Sequence, residues 1–122
     1  MDEPAALEIE GLRKSYWTPE GVRQVVIELP AFRLGARQQV AMSGESGSGK
    51  TTIVNLIPRF YDPREGSVMV NGRDIRDFTI QSLREKIGLV TQEIILFNDT
   101  VRANIAYGRP QASLEEIKRA AE

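Results

Sequence analysis

Gly44-Glu45-Ser46-Gly47-Ser48-Gly49-Lys50-Thr51 meets every fixed position of the pattern G-x-x-x-x-G-K-[ST], a loop that wraps phosphate between a strand and a helix. The chemistry explains the residue types. Polyphosphate brings several negative charges that donors must meet at close range. Gly44, Gly47 and Gly49 lack the Cβ atoms that hold a backbone away, so the N–H groups of Glu45, Ser46, Ser48 and their neighbours can turn inward as an anion nest. Lys50 adds a mobile point charge and is the candidate catalytic cation as well as a binding group. The Thr51 hydroxyl is a small, hard oxygen ligand of the kind Mg²⁺ takes, and Thr52 continues the binding stretch into a helix whose positive end faces the phosphates. A chance match in a chain this short is on the order of one in a few hundred. A flexible Gly/Ser linker, the plain alternative, does not end in Lys-Thr and run into an amphipathic helix.

The flanks agree with the motif. Gln39-Val40-Ala41-Met42 reads as the buried strand that should precede such a loop, and Thr52 to Phe60 as the helix that should follow, with Ile53, Leu56, Ile57 and Phe60 on one face. Pro58 is expected to bend or stop that helix, since it has no N–H to give one turn back.

Toward the N-terminus, Leu7 to Tyr16 alternates apolar and charged residues, the pattern of a half-buried strand. Thr18-Pro19-Glu20-Gly21 is a turn, and Val22 to Leu29 a second strand closed by Pro30. The first forty residues therefore predict an antiparallel β layer. Toward the C-terminus, Ser67 to Val70 is a short strand ending at the turn dipeptide Asn71-Gly72. A short helix follows, for which Ser82 with Glu85, Thr79 and Asp77 are all available as the start. Ile87-Gly88-Leu89-Val90 is a buried strand candidate. Thr100 to Tyr107 reads as helix, and Ser113 with Glu116 forms a capping box for a last one.

Composition narrows the function classes. The chain has 122 residues, a formal net charge of −1, no His and no Cys. Acids and bases are mixed along it, which gives no reason to expect nucleic acid as a partner. Without His or Cys, any metal must be held by oxygen ligands, and there is neither a disulfide framework nor a thiolate site, as fits the cytosol. No apolar run approaches membrane-spanning length. The start Met1-Asp2-Glu3-Pro4 is acidic, unlike a signal peptide.

Together these residues resemble the nucleotide-binding domain of ATP-binding-cassette (ABC) transporters over almost the whole chain. The phosphate loop carries the likeness first. Tyr16, in Leu12-Arg13-Lys14-Ser15-Tyr16, stands where that family keeps an aromatic residue to stack on adenine; it also suits a strand end packed on the core, and adjacent Trp17 is the other ring able to stack. Gln92, after Ile87 to Thr91, matches the family's Q-loop glutamine, which implies a role in catalysis as a ligand of Mg²⁺ and of the attacking water. Leu56-Ile57-Pro58-Arg59-Phe60-Tyr61-Asp62-Pro63 and the run from Leu96 to Gly108 are similar to exporter sequences. Residues up to about Thr52 look more like stand-alone ATPase subunits of the lipoprotein-release or macrolide-efflux kind, so a mosaic origin is one reading of the chain.

The resemblance implies an α/β fold, a phosphate-loop NTPase (RecA-like) core with an N-terminal antiparallel β subdomain. Its divisions are residues 1–40 as β layer, 41–92 as phosphate-loop core and 93–122 as the start of a helical subdomain. It implies ATP and Mg²⁺ as ligands, a transmembrane subunit or domain and a second ATPase subunit as partners, and a cytoplasmic position peripheral to the membrane. The family's signature Leu-Ser-Gly-Gly-Gln, its apolar strand ending in Asp-Glu and its switch His are absent from these 122 residues. Glu93 is a poor substitute base, because Gln stands at 92 where an Asp is needed. The expectation is a chain truncated before the signature and Walker B segments, binding ATP but hydrolysing it poorly alone, with open strand edges that favour self-association. A non-hydrolytic nucleotide-binding or interaction module is the competing reading. A GTPase is disfavoured by the lack of Asn-Lys-x-Asp, and a small-molecule kinase by the lack of room for a lid.

Overall fold

A computed structural model describes residues 3–91 and 93–122. Gln92 lies outside the described residues. The chain divides into two compact units, one up to Gly88 and one from Leu89 to Glu122.

The first unit is built on an antiparallel sheet of four strands: β1 (Leu7–Trp17), β2 (Arg23–Leu34), β3 (Glu65–Val70) and β4 (Arg73–Asp74), in the order β2-β1-β3-β4. The alternation read from Leu7 onward therefore does make a strand. Its two most buried residues, Ile9 and Leu12, are three positions apart because Gly11 takes φ +58° between them. β3 crosses β1 so closely there that a Cβ on Gly66 would fall 2.5 Å from backbone atoms of Glu10 and Gly11, and with φ +89° only glycine is at ease. β3 and β4 are joined through Asn71 (φ 50°) and Gly72 (φ 77°), the left-handed pair that a tight hairpin twist requires.

Two helices complete the first unit. Helix α1 (Lys50–Leu56) starts at the phosphate loop, and helix α2 (Ile80–Arg84) follows a 3₁₀ turn at Ile75–Asp77. Of the three available starts, Thr79 is the cap of α2, its hydroxyl accepting from the Ser82 N–H. The sheet and both helices close over Ile9, Leu12, Ile27, Leu56, Val68, Val70, Ile75 and Leu83. Burying each large aliphatic side chain contributes about 1.5–3 kcal/mol against the extended chain. This core fixes where α1, and hence the loop before it, can sit.

Four local expectations need correction. Pro30 does not close β2, which continues to Leu34; β2 is an outer strand, where a missing N–H need not break a ladder. Residues 39–42 and 87–90 are not strands. Neither pairs with a neighbouring strand among the described residues; the Ile87 N–H turns back to Arg84 O at 3.1 Å instead, and Val40 and Val90 are 59% and 97% exposed. Phe60 is not on the buried helix face: α1 ends at Leu56, and the Phe60 and Arg59 N–H groups close it by donating to Asn55 O (3.2 Å) and Leu56 O (3.0 Å). With Arg59 at φ +57°, this is a Schellman-type end, and Pro58 marks the stop as expected.

The second unit holds α3 (Val101–Ile105) and α4 (Leu114–Ala121). Thr100 caps α3, and the Ser113–Glu116 capping box read from sequence is formed in both directions at α4. No helix among the described residues is long and apolar enough to cross a membrane.

Candidate functional site

The phosphate loop precedes α1 with its glycines in the conformations that favoured them. Gly47 and Gly49 have φ +82° and +94°. At Gly44 a Cβ would fall 2.7 Å from Ser48 Oγ, and at Gly49 it would fall 2.7 Å from Ile27 Cγ1 of β2. The first contact closes the loop on itself, and the second seats it on the sheet. Within the loop, the Ser48 N–H donates to Glu45 O at 3.1 Å. Lys50 Nζ folds back and donates to the carbonyl oxygens of Gly44 and Glu45. The ammonium is thus already at the loop, held by oxygens that an anion can replace.

At the start of α1, Gly49 provides no side-chain cap. The N–H groups of the first helical turn have no intrahelical acceptors in any α-helix, so those of Lys50, Thr51 and Thr52 face outward with the helix dipole behind them. Thr51 is exposed. Backbone donors, one cation and a hydroxyl make a set suited to a polyphosphate with its divalent ion. Among the described residues no group of three or more acidic side chains could hold a metal by itself; the side-chain oxygens at this loop are those of Glu45, Ser46, Ser48 and Thr51.

Tyr16 stands nearby on the sheet. It pairs with Gln24 across the β1–β2 ladder, and its hydroxyl donates to Gln24 Oε1 at 3.0 Å. The register slips by one residue between Lys14 and Ser15, so Lys14 pairs with Ile27 while Tyr16 pairs with Gln24. Residues 14 and 16 share a face of β1, and the slip brings Gln24 and Ile27 onto that same face of β2. Ile27 is the residue on which Gly49 sits. One sheet face therefore carries both the phosphate loop and Tyr16.

Tyr16 lines a concavity of about 800 Å³ together with Trp17, Arg13, Arg23, Tyr61 and Arg64. It is half-exposed at 49%, and Trp17 more so at 71%. Both rings are open to a ligand, so the choice between them as a stacking surface is not made by burial. Tyr61 was not singled out from the sequence. Its hydroxyl donates to the Thr52 carbonyl at 2.7 Å, and Lys14 Nζ lies 5.3 Å from its ring centre, so it ties the first turn of α1 to the aromatic concavity. The signal was its place in Arg59-Phe60-Tyr61-Asp62-Pro63, but only the fold shows which backbone atom it reaches.

Charges around the concavity are partly neutralised. Arg23 pairs with Glu65 at 2.5 Å. The Arg59 guanidinium bonded to Asp62 holds that carboxyl below the usual aspartate range. Glu93 is exposed, and its carbonyl oxygen accepts from the Thr91 hydroxyl at 2.7 Å.

Comparison with known proteins decides the family. The family model described as "ABC transporter" matches residues 29–122. The chain belongs to the ABC transporter family. An ATP-dependent lipid A-core flippase of Desulfotalea psychrophila is 47% identical over 116 residues, covering 95% of this ABC chain and 19% of the relative. The mitochondrial iron-sulfur clusters transporter ATM1 of Candida glabrata is 43% identical over 118 residues, covering 97% of this chain and 16% of that protein. A solved structure of a bacterial Atm1-family ABC exporter with ATP bound superposes with a TM-score of 0.79 at 39% identity, covering 98% of this chain and 20% of the other. The ABC chain thus spans about one fifth of the length of such relatives. Each of these three runs across Thr52, so single exporters account for the stretches on both sides of the boundary at which a mosaic was considered.

Proposed function

We propose that the chain is the ATP-binding part of an ABC transporter ATPase, which in the complete protein couples ATP hydrolysis to transport. The observation that carries this reading is the loop itself, with Lys50 folded over it, the first turn of α1 uncapped, and Gly49 seated on the strand that also pairs with Tyr16. Gly44 to Thr52 hold the phosphates. Tyr16 stacks on the base, with Trp17 beside it as the other candidate ring. Thr51 would supply an oxygen to Mg²⁺, whose charge when bound would offset that of the phosphate oxygens, and the family resemblance assigns Gln92, outside the described residues, a like role.

Phosphoryl transfer needs little covalent help from a protein and much positioning of charge. Lys50 serves that need by exchanging its loop carbonyls for phosphate oxygens, so its charge is present when negative charge moves outward in the reaction. Gln92 orients the attacking water. No signature motif and no Asp-Glu strand end occur in these 122 residues, so turnover depends on residues that this chain does not contain, among them those of a second ATPase subunit. Relatives named for lipid A-core and for iron-sulfur clusters share 47% and 43% identity with it. Cargo is therefore chosen by a transmembrane part rather than here. The chain works at the cytoplasmic face, and the unpaired stretches at 39–42 and 87–90 are where pairing with further chain, or with a second copy, takes place.

The test is calorimetric titration of the chain with MgATP beside its Lys50→Ala variant. Saturable binding is expected, with affinity lowered at least about tenfold in the variant, the scale of a lost charge-assisted hydrogen bond. Absence of binding by the unaltered chain would refute the reading.

A further inference from the structure

Arg84 makes no ion pair among the described residues. Its Nε donates to Pro58 O at 3.0 Å and its Nη2 to Arg59 O at 3.3 Å, and its guanidinium lies 5.0 Å from the centre of the Phe60 ring. All three partners belong to the turn that ends α1. Two carbonyl oxygens at the negative end of a helix and one aromatic face suit a planar, forked cation and would not be met together by a lysine.

A second arginine makes the reciprocal connection. Arg59 takes a left-handed backbone conformation with φ +57°, which is costly for a residue with a Cβ. Its Nε is held by Asp62 at 2.6 Å, and its Nη1 donates to Phe78 O at 3.3 Å and Ile75 O at 3.5 Å, the segment that leads into α2. α2 thus grips the end of α1 through Arg84, while the end of α1 grips the approach to α2 through Arg59. Between them, Ile75 and Leu83 are fully buried in the same cluster as Leu56, the last residue of α1.

α1 has only seven residues, from Lys50 to Leu56, so a constraint on its phosphate-loop end reaches its far end within two turns of rigid helix. We infer that Arg84, together with Arg59, is a positioning residue that couples occupation of the phosphate loop to the order of α2 and the residues just after it. This rests on the nucleotide-binding reading above. A double arginine clamp of this kind ties the far end of α1 to α2, so a ligand that fixes the loop end of α1 stabilises α2, and the effect is reciprocal.

Amide hydrogen exchange with and without MgATP tests it. The N–H groups of Leu83, Glu85, Lys86 and Ile87 donate to Thr79, Gln81, Leu83 and Arg84 carbonyls and report on α2 and its exit. In the unaltered chain MgATP is expected to slow exchange at residues 50–56, and also at 83–87 by about fivefold or more. In Arg84→Gln the slowing at 50–56 remains and that at 83–87 disappears, with Arg84→Lys in between. A merely structural clamp would raise exchange at 83–87 in the variants by the same factor with and without nucleotide, leaving the ratio intact, and that result would overturn the inference. So would slowing confined to 50–56 in the unaltered chain, which needs no variant to fold. No slowing anywhere would refute the nucleotide-binding reading and the coupling with it.

Discussion

The unit ending at Gly88 and the unit from Leu89 onward hold their shapes by different means. The first closes a sheet and two helices over a continuous aliphatic core in which Ile9, Val68, Ile75 and Leu83 are fully buried. The second buries only Ala106 and Ile117 among its described residues. It relies instead on polar side chains turned onto the backbone. Asn104 bonds to the Phe97 N–H and to the carbonyl oxygens of Phe97, Asp99 and Thr100, Phe97 and Tyr107 stack with ring centres 4.3 Å apart, and both helices begin at side-chain caps. The lesson is that a site needing a fixed phosphate loop is built on the region with the core. A short helical segment can be specified mainly by hydrogen bonds, with one ring stack and two buried side chains beside them, at much lower stability.

Core truncation should separate the two units most sharply. Ile9→Ala leaves a cavity where the side chain is 1% exposed, and a loss of about 2–5 kcal/mol is expected in urea unfolding of the first unit. Exchange protection in α3 and α4 should hardly change; equal losses in both would mean that the units fold as one. Asn104→Ala should do the reverse, costing about 0.5–1.5 kcal/mol locally by removing the bonds that hold the segment before α3, read as faster exchange from 97 to 107 with the first unit unaltered.

The smallest effect is a titration. The Glu116 carboxyl is held below its ordinary pKa of 4.5, first by the Ser113 N–H and hydroxyl and then by Arg109. A carboxyl with a lowered folded pKa stabilises fully above its unfolded value and loses that contribution as pH falls through the folded one. Helix α4 should therefore keep its helical chemical shifts from neutral pH to about the ordinary glutamate range and fray below it. Fraying that begins near neutral pH would place the control of α4 elsewhere.

Much of this was legible in residue order. The phosphate loop, the strand from Leu7, the Asn71-Gly72 hairpin and the Ser113 capping box each depend on neighbours a few residues away, and each was readable. Apart from Phe60, placed by the local turn that ends α1, what failed depends on distant partners. Val40 and Val90 sit in apolar runs that ask for burial, but a strand exists only beside another strand, and no pattern in residues 39–42 or 87–90 states whether one is present. The same limit hid the roles of Ile27, Tyr61 and Arg84. A one-residue slip in the β1–β2 ladder decides that Ile27 shares a face with Gln24, and the backbone oxygens that Tyr61 and Arg84 reach lie nine and about twenty-five residues away in sequence.

Pro30 sits well inside β2, the outer strand of the sheet on the side away from β4. A foreign strand adding to that border would need an unbroken row of donors and acceptors. Proline interrupts it part-way along twelve residues. The border is thus a poor template for cross-chain zippering, and the ring that looked like punctuation in the sequence acts as a guard against fibre growth.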